Sequence, residues 1–353
     1  MTDMNLKLID YVLKRNEEQS QVFMDPGKRL ERQRYRAEHP TEIVALKCMD
    51  GRLNLALMTD MPPGIISPYR NLGGVFDLGW PYLGRLMLDK VEYAASQGRR
   101  VLALATYHFS KGDPHRGCAG HQYDTDAARA GAFRLRGQFD EDFGMGHEVV
   151  HAIVVGIETD EDSLVFHGEE GSVFSIADNL SLSEEVVRER LRQMYPTMNR
   201  TVFADMFEMV RGNRRHVEEV KKSDRPVIDM LHKENIIAVG RGFDWFHTPN
   251  KALIVGPFAA DWTNAVATEG RIVLDNLKNG RISREDGVLL LVSSPFRNIG
   301  AERKIAQRKS QHIVAKSREA LALAVPELQE IMSELVVIMD ENTRELAVLS
   351  RSE

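Results

Sequence analysis

From residue 42 onward the sequence alternates short apolar, β-branched runs with longer stretches of helical periodicity, and this alternation constrains the fold more than any other feature. The runs at 43–46, 65–66, 101–105 and 149–157 read as strands, and the stretches at 82–97 and 125–139 as helices between them. Strands that return through helices run parallel. A parallel sheet is covered on both faces, which is why its strands read as unbroken apolar runs rather than as alternations. The expected class is α/β, a mainly parallel sheet flanked by helices.

The same order of strands then recurs at 236–239, 253–255, 288–292 and 334–339. Ile43-Val44-Ala45-Leu46 aligns with Ile236-Ile237-Ala238-Val239, and Ile65-Ile66-Ser67-Pro68-Tyr69 with Ile254-Val255-Gly256-Pro257-Phe258. Residues 101–109 align with 288–296, and 154–165 with 336–347, both of the latter reading as strand, acidic turn and short strand. Four blocks in one order predict an internal duplication. The expected organisation is a helical arm over 1–40, with Ile9 and Leu13 at helical spacing, and a first lobe over 41–178. A helical linker follows over 179–233, opened by Ser181 with Glu184 three residues on as a capping signal, and a second lobe occupies 234–353.

Charge and composition exclude several classes. A net charge of -6 argues against nucleic acid or an anionic membrane as a partner, and no run of eighteen apolar residues is present. The N-terminus lacks the basic-then-apolar layout of a secretory signal, so a cytoplasmic location is expected. Only two cysteines occur, Cys48 and Cys118, too few for a disulfide framework. Lone thiols are commonly inert core residues. A chemical role for them needs a reason.

Cys48-Met49-Asp50-Gly51-Arg52 supplies one. Ordinary residue frequencies place Asp and Arg two and four positions after a cysteine only roughly 0.3 to 0.4% of the time. The segment follows a strand, and ligands of open α/β sheets bind beyond the carboxyl ends of strands. The second cysteine follows the strand at 101–105 through Thr106-Tyr107-His108-Phe109-Ser110-Lys111-Gly112-Asp113-Pro114-His115-Arg116-Gly117-Cys118. Two Cys and one His give three ligands and leave a fourth position open, the arrangement of a catalytic rather than a structural zinc.

These residues resemble a known family. Cys48-x-Asp50-x-Arg52, Arg70-Asn71-Leu72-Gly73 and a strand-end histidine followed by Gly117-Cys118 are similar to the zinc-site signature of β-class carbonic anhydrases. Tyr107-His108-Phe109-Ser110 with Asp113-Pro114, Gly117-Cys118-Ala119 and the stretch from Asp124 to Ala128 resembles the divergent ε-type branch of the carboxysome shell. The resemblance spans roughly Glu42 to the C-terminus and is strongest through His167. It implies a β-carbonic-anhydrase-like lobe fused to a degenerate copy of itself as a pseudo-dimer, and zinc as the cofactor. It further implies Cys48, His108 and Cys118 as ligands, an Asp50–Arg52 dyad, and reversible hydration of CO2 to bicarbonate. The partners it implies are CO2 and bicarbonate, further copies of the chain and the carboxysome.

Two departures accompany it. The shell branch carries a large N-terminal domain where about forty residues stand here. Ordinary β-class members use His-x-x-Cys, which His115 and Cys118 also satisfy, whereas the shell branch uses the strand-end histidine, here His108. His108 is the preferred ligand because a strand end places an imidazole more reproducibly than a loop holding Gly and Pro does, with His115 the alternative. In the second lobe Arg241, Phe243 and Trp245 align with Cys48, Asp50 and Arg52, so that copy cannot hold the same metal.

Other readings have weaker support. A related zinc hydrolase acting on CS2 or COS would share the ligands, and a scaffold protein could retain a relic site. His147-Glu148-Val149-Val150-His151 matches a zinc-protease pattern that requires a helix, but the flanking Gly144 and Gly146 and the β-branched run after them read as a strand. Gly240-Arg241-Gly242 lacks the third glycine of a dinucleotide fingerprint. The basic run 303–318, with Ile305, Ile313 and Val314 at helical spacing, reads as a solvated helix face. His121 and Tyr123 are candidates for passing protons, with capping or surface roles as the plainer reading.

Overall fold

The computed structural model describes residues 3–144, 149–223, 231–241 and 251–352. Two helices, α1 (Asp3–Met24) and α2 (Pro26–Glu38), open the chain. The chain separates into two compact units, one of residues 30–48 and 53–230, the other of residues 1–29, 49–52 and 231–353. The helical stretch at the N-terminus is thus shared between them.

The first unit carries β1 (Glu42–Cys48), α3 (Leu55–Met58), β2 (Ile66–Asn71), α4 (Pro81–Ser96), β3 (Val101–Phe109), α5 (Thr125–Phe143), β4 (Val150–Glu158), β5 (Ser163–His167), β6 (Val173–Ser175), α6 (Glu184–Met194) and α7 (Arg200–Lys222). Its sheet has the order β2-β1-β3-β4-β5-β6, parallel from β2 to β4 and antiparallel beyond. All nine residues of β4 are buried, as a strand covered on both faces requires. Helix α5 packs on β3 and β4, and its N-terminus is capped by the Asp124 carboxylate, which accepts from Asp126 N and Ala127 N. The cap of α6 is Ser183, whose Oγ accepts from Val186 N, and not Ser181: the helix begins at Glu184, so its cap is the residue immediately before. His151 lies on β4, buried, with Nε2 accepting from Asn199 N at the start of α7 at 3.2 Å. The strand places it outside a helical protease motif, whose His147 and Glu148 lie outside the described residues.

The second unit carries β7 (Ile236–Gly240), β8 (Ala252–Val255), α8 (Thr263–Lys278), β9 (Val288–Phe296), α9 (Ala301–Ala324), β10 (Met332–Asp340) and β11 (Leu346–Arg351). Its sheet has the order β8-β7-β9-β10-β11, parallel except for the last strand. Leu8, Ile9 and Val12 of α1 pack against Ile236, Ala238, Ala252, Ile254, Leu289, Leu291, Leu335 and Val337, the alternate residues of four strands. Ile9 and Val12 are fully buried, each stabilising by about 1.5–3 kcal/mol. On α9, Ile313 and Val314 are buried while Ile305 is half exposed, so the basic run has a solvated face. Among the described residues no helix is long and apolar enough to cross a membrane.

The ladders of the two sheets can be compared pair by pair. Leu102 lies opposite Ile43 and Leu289 opposite Ile236; Val154 lies opposite Ala105 and Val336 opposite Val292. Both correspondences are those of the sequence blocks. The block at β2 differs: Ile66 lies opposite Ile43 and Ala252 opposite Ile236, so Ala252, not Val255, holds the register of Ile66. A short apolar run has little to mark its register, and the alignment slips there by three positions.

His167, at the end of β5, is hydrogen-bonded through Nε2 to the Tyr107 hydroxyl at 2.9 Å, both side chains being buried. Burial first, and the Arg129 guanidinium second, push its imidazole down from the ordinary 6.5 to about 4. An unfolded chain takes up this proton as pH falls through 6.5, whereas the folded chain takes it up only near 4. The pair therefore contributes stability that is complete above pH 6.5 and is lost as pH falls towards 4. Denaturant unfolding across that window is expected to show stability falling with pH, and His167→Gln to flatten the slope. A slope indifferent to the substitution would assign it to other groups.

Candidate metal centre

In the first sheet the chain leaves β1 towards β2 on one side and reaches β3 on the other, so the topological switch point lies between β1 and β3. There the two strands part. Their ladder ends at Leu46 and Ala105, while β3 continues alongside β4 to Phe109 opposite Glu158. A crevice beyond the carboxyl ends of strands at such a point is where open α/β sheets place ligands.

Three side chains meet in it. Cys48 is the last residue of β1, His108 the penultimate residue of β3, and Cys118 arrives on the loop after β3. One ligand atom from each lies within 4.8 Å of the other two, and all three residues are buried. The two Sγ atoms are 3.7 Å apart, far outside disulfide length, and neither cysteine is in a disulfide. Among the described residues no other three His, Cys, Asp or Glu side chains bring donor atoms together in this way. The neighbouring Cys118 sulfur, then burial, push the Cys48 thiol well above its ordinary value, and the His108 imidazole acts in the opposite direction. A dry site that disfavours thiolates is reversed by a cation, because a coordinated thiol gives up its proton. The donor set fits a metal ion that prefers sulfur and imidazole.

His108 stands inside β3, which runs four residues further than its apolar pattern indicates. Thr106 extends the strand by donating from Oγ1 to Leu46 O at 3.0 Å. His115 is not brought to the cysteines. Its side chain is 80% exposed, its Nδ1 is 3.4 Å from Asp113 Oδ1, and its ring lies 5.1 Å from that of Tyr123. His121 donates from Nε2 to Gly73 O at 3.1 Å.

Other residues hold the crevice open. The Arg70 guanidinium donates to Cys48 O at 3.4 Å and Leu53 O at 3.0 Å, and the buried Lys47 donates from Nζ to the same Leu53 O at 2.5 Å. Gly74 has φ of +68°, and a Cβ there would stand 3.2 Å from Thr106 O and 3.3 Å from Cys48 N. Only glycine fits both the turn and the close approach to β1. The loop that delivers Cys118 is tied by Asp160: its carboxylate accepts from Ser110 Oγ at 2.8 Å and Gly112 N at 2.7 Å and faces Arg116 Nη1 at 3.3 Å. In the sequence Asp160 is one of four acidic residues in a turn, and nothing in the pattern distinguishes it.

Asp50 and Arg52 belong to the other unit, by way of the short segment 49–52. Ile254 N donates to Met49 O at 2.8 Å and Gly51 N to Ala252 O at 3.1 Å, which fastens the segment antiparallel to β8. Arg52 Nε donates to both oxygens of Asp50 at 3.0 Å, Nη2 to Oδ2 at 2.5 Å, and Arg52 N to Oδ1 at 2.9 Å. Both side chains are at most 5% exposed. Of the residues aligned with the site in the second lobe, Phe243 and Trp245 lie outside the described residues.

Comparison with known proteins identifies the family. A family model for the carboxysome shell carbonic anhydrase catalytic domain matches residues 38–248. The carboxysome shell carbonic anhydrase of Prochlorococcus marinus (strain MIT 9313) is 30% identical over 233 residues, 58% of this chain and 45% of that protein. That of Hydrogenovibrio crunogenus is 26% identical over 231 residues, 56% of this chain and 44% of that protein. That of Halothiobacillus neapolitanus is 26% identical over 195 residues, 46% and 38% of the two chains. The matches cover under half the length of each relative. With the family model spanning more than half of it, the chain belongs to the carboxysome shell carbonic anhydrase family.

Proposed function

We propose that the chain is a zinc-dependent carbonic anhydrase that interconverts CO2 with bicarbonate and a proton. The observation that carries this reading is the buried Cys48, His108 and Cys118 group at the switch point. Two sulfurs each about 2.3 Å from a tetrahedral zinc stand about 3.8 Å apart. The thiols here are 3.7 Å apart. Three protein donors leave one position for water, the pattern of a catalytic site. Zinc, when bound, supplies a hydroxide nucleophile at neutral pH by acidifying coordinated water.

The chain's own residues supply orientation. Two thiolates lend the metal more charge than imidazoles do, so the nucleophile needs help. With the metal bound, Asp50 would supply a hydrogen-bond acceptor to orient the nucleophile. Arg52, through its bidentate grip, fixes the plane of that carboxylate. Asp160 keeps the Cys118 loop in register with β3.

The second unit reads as a degenerate copy of the first, supported by the shared strand order and by the agreeing registers of β1 with β3 and of β3 with β4. The whole would then be a pseudo-dimer with one metal centre. A carboxysomal location as a shell-associated enzyme is supported by the relatives' name, carboxysome shell carbonic anhydrase.

Metal analysis is expected to give one zinc per chain, lost in Cys48→Ser and His108→Ala and kept in His115→Ala. Two zincs per chain, or zinc retained after Cys48→Ser, would overturn the site. In stopped-flow CO2 hydration, Asp50→Asn and Arg52→Ala should keep their zinc and lose about 100-fold or more in kcat; full activity in both would rule out the dyad. Asp160→Ala should weaken zinc about 10- to 100-fold in a chelator competition. An unchanged affinity would remove its loop-holding role.

A further inference from the structure

The Asp50–Arg52 pair does not end at Arg52. Its Nη2 also lies 3.2 Å from His232 Nε2, and His232 Nδ1 lies 2.8 Å from Glu234 Oε1. Glu234 Oε2 accepts from Asn276 Nδ2 at 3.0 Å, and the same amide donates to Glu234 O at 3.1 Å. Asn276 Oδ1 in turn accepts from Arg281 Nη1 at 3.1 Å. All of these residues lie in one unit, and Glu234 and Asn276 are fully buried.

The polarity of every link follows from its ends. A guanidinium only donates, so His232 Nε2 must present its lone pair to Arg52. The ring proton is then on Nδ1, donated to the Glu234 carboxylate, which has only acceptors to offer. Asn276 cannot turn over, because Arg281 requires its oxygen. One tautomer of one histidine satisfies the whole row, and Arg52 is held on the side away from Asp50 as well as on the side facing it.

We propose that His232 and Glu234 are positioning residues of the dyad, acting through Arg52: together they fix the guanidinium plane that orients the Asp50 carboxylate. This rests on the carbonic anhydrase reading above. Neither residue is a metal ligand, and neither touches the reacting atoms. The segment leading into β7 supplies both residues.

The test uses the full chain loaded with zinc, and variants Glu234→Gln, His232→Leu and His232→Gln. A carboxamide at 234 has one acceptor fewer. Asn276 keeps its donor aimed there, so the new amide must turn its N–H towards His232 and drive the ring proton to Nε2, donor against Arg52. Nitrogen-15 NMR of the histidines is therefore expected to show His232 protonated on Nδ1 in the wild type and on Nε2 in Glu234→Gln, with or without zinc. In CO2 hydration, Glu234→Gln and His232→Leu should lower kcat about 10- to 100-fold with KM and zinc content unchanged. His232→Gln, whose carbonyl can accept from Arg52, should recover most of the loss. An Nε2–H tautomer in the wild type, or His232→Leu with wild-type kcat, or no rescue by His232→Gln, each overturns the positioning role. If Glu234→Gln does not fold, the two His232 variants decide. A zinc-loaded wild type that does not hydrate CO2 sinks the proposed function instead, and the NMR result then decides the hydrogen-bonded row by itself.

Discussion

Where β1 stops decides how the candidate centre is built. Its ladder with β3 ends at Leu46 and its ladder with β2 at Cys48 opposite Asn71, so from Met49 on the backbone needs other partners. A buried strand cannot leave its amide and carbonyl groups unpaired, and residues 49–51 pair instead with β8. A single peptide bond thus separates the last metal-capable residue of one sheet from a segment held by the edge of the other. Asp50 and Arg52 stay within a few residues of Cys48 in the chain yet owe their placement to β8. Arg70 donates to Cys48 O at this strand end.

Two groups of buried ionisable side chains follow from this, and both are costly in isolation. Removing an ion from water costs several kcal/mol even after relaxation, and a buried pair repays this only with close geometry and further hydrogen bonds. Asp50 and Arg52 meet that condition with bidentate contacts, a backbone donor and His232. Loss of one partner from such a pair costs about 3–5 kcal/mol, whereas replacing both by apolar residues is often neutral. The pair is therefore better explained by the position it enforces than by stability. The thiols follow the same logic. Burial and mutual proximity oppose ionisation, so the pocket is suited to a cation rather than to an empty core.

Much of this was legible in the residues, for a physical reason. Parallel strands buried on both faces show as apolar runs, and all eight runs became strands. The extension of β3 through Thr106-Tyr107-His108-Phe109 was not visible, because pairing with β4 continues past the apolar stretch and tolerates polar residues at the crevice. Cys48, His108 and Cys118 could be singled out by residue type and placement after strands. The choice of His108 over the loop His115 could be argued, but only the structure brings one of them to the sulfurs. Asp160 and the His232–Glu234 row were hidden because they join residues distant in sequence, and Lys47 because lysine is a residue type common on surfaces. The docking of α1 on the second sheet was hidden likewise: an amphipathic helix shows which face it buries, not against what.

Among the described residues, the second sheet differs from the first in its backbone as well as in its side chains at the corresponding strand end. Its switch point lies between β7 and β9, but there the ladder runs one pair further, to Gly240 opposite Ser293. Gly240 has φ of +127°, and a Cβ on it would meet Ser293 O at 1.9 Å, so this pair can close only with glycine. In the first sheet the aligned pair is Lys47 and Thr106, past the end of the ladder, with the Lys47 side chain turned to Leu53 O. One strand end is therefore zipped where the other is parted. A cysteine placed at Arg241 would follow a closed ladder rather than line an open crevice, and adding thiols there would not reproduce the geometry that Cys48 and His108 share.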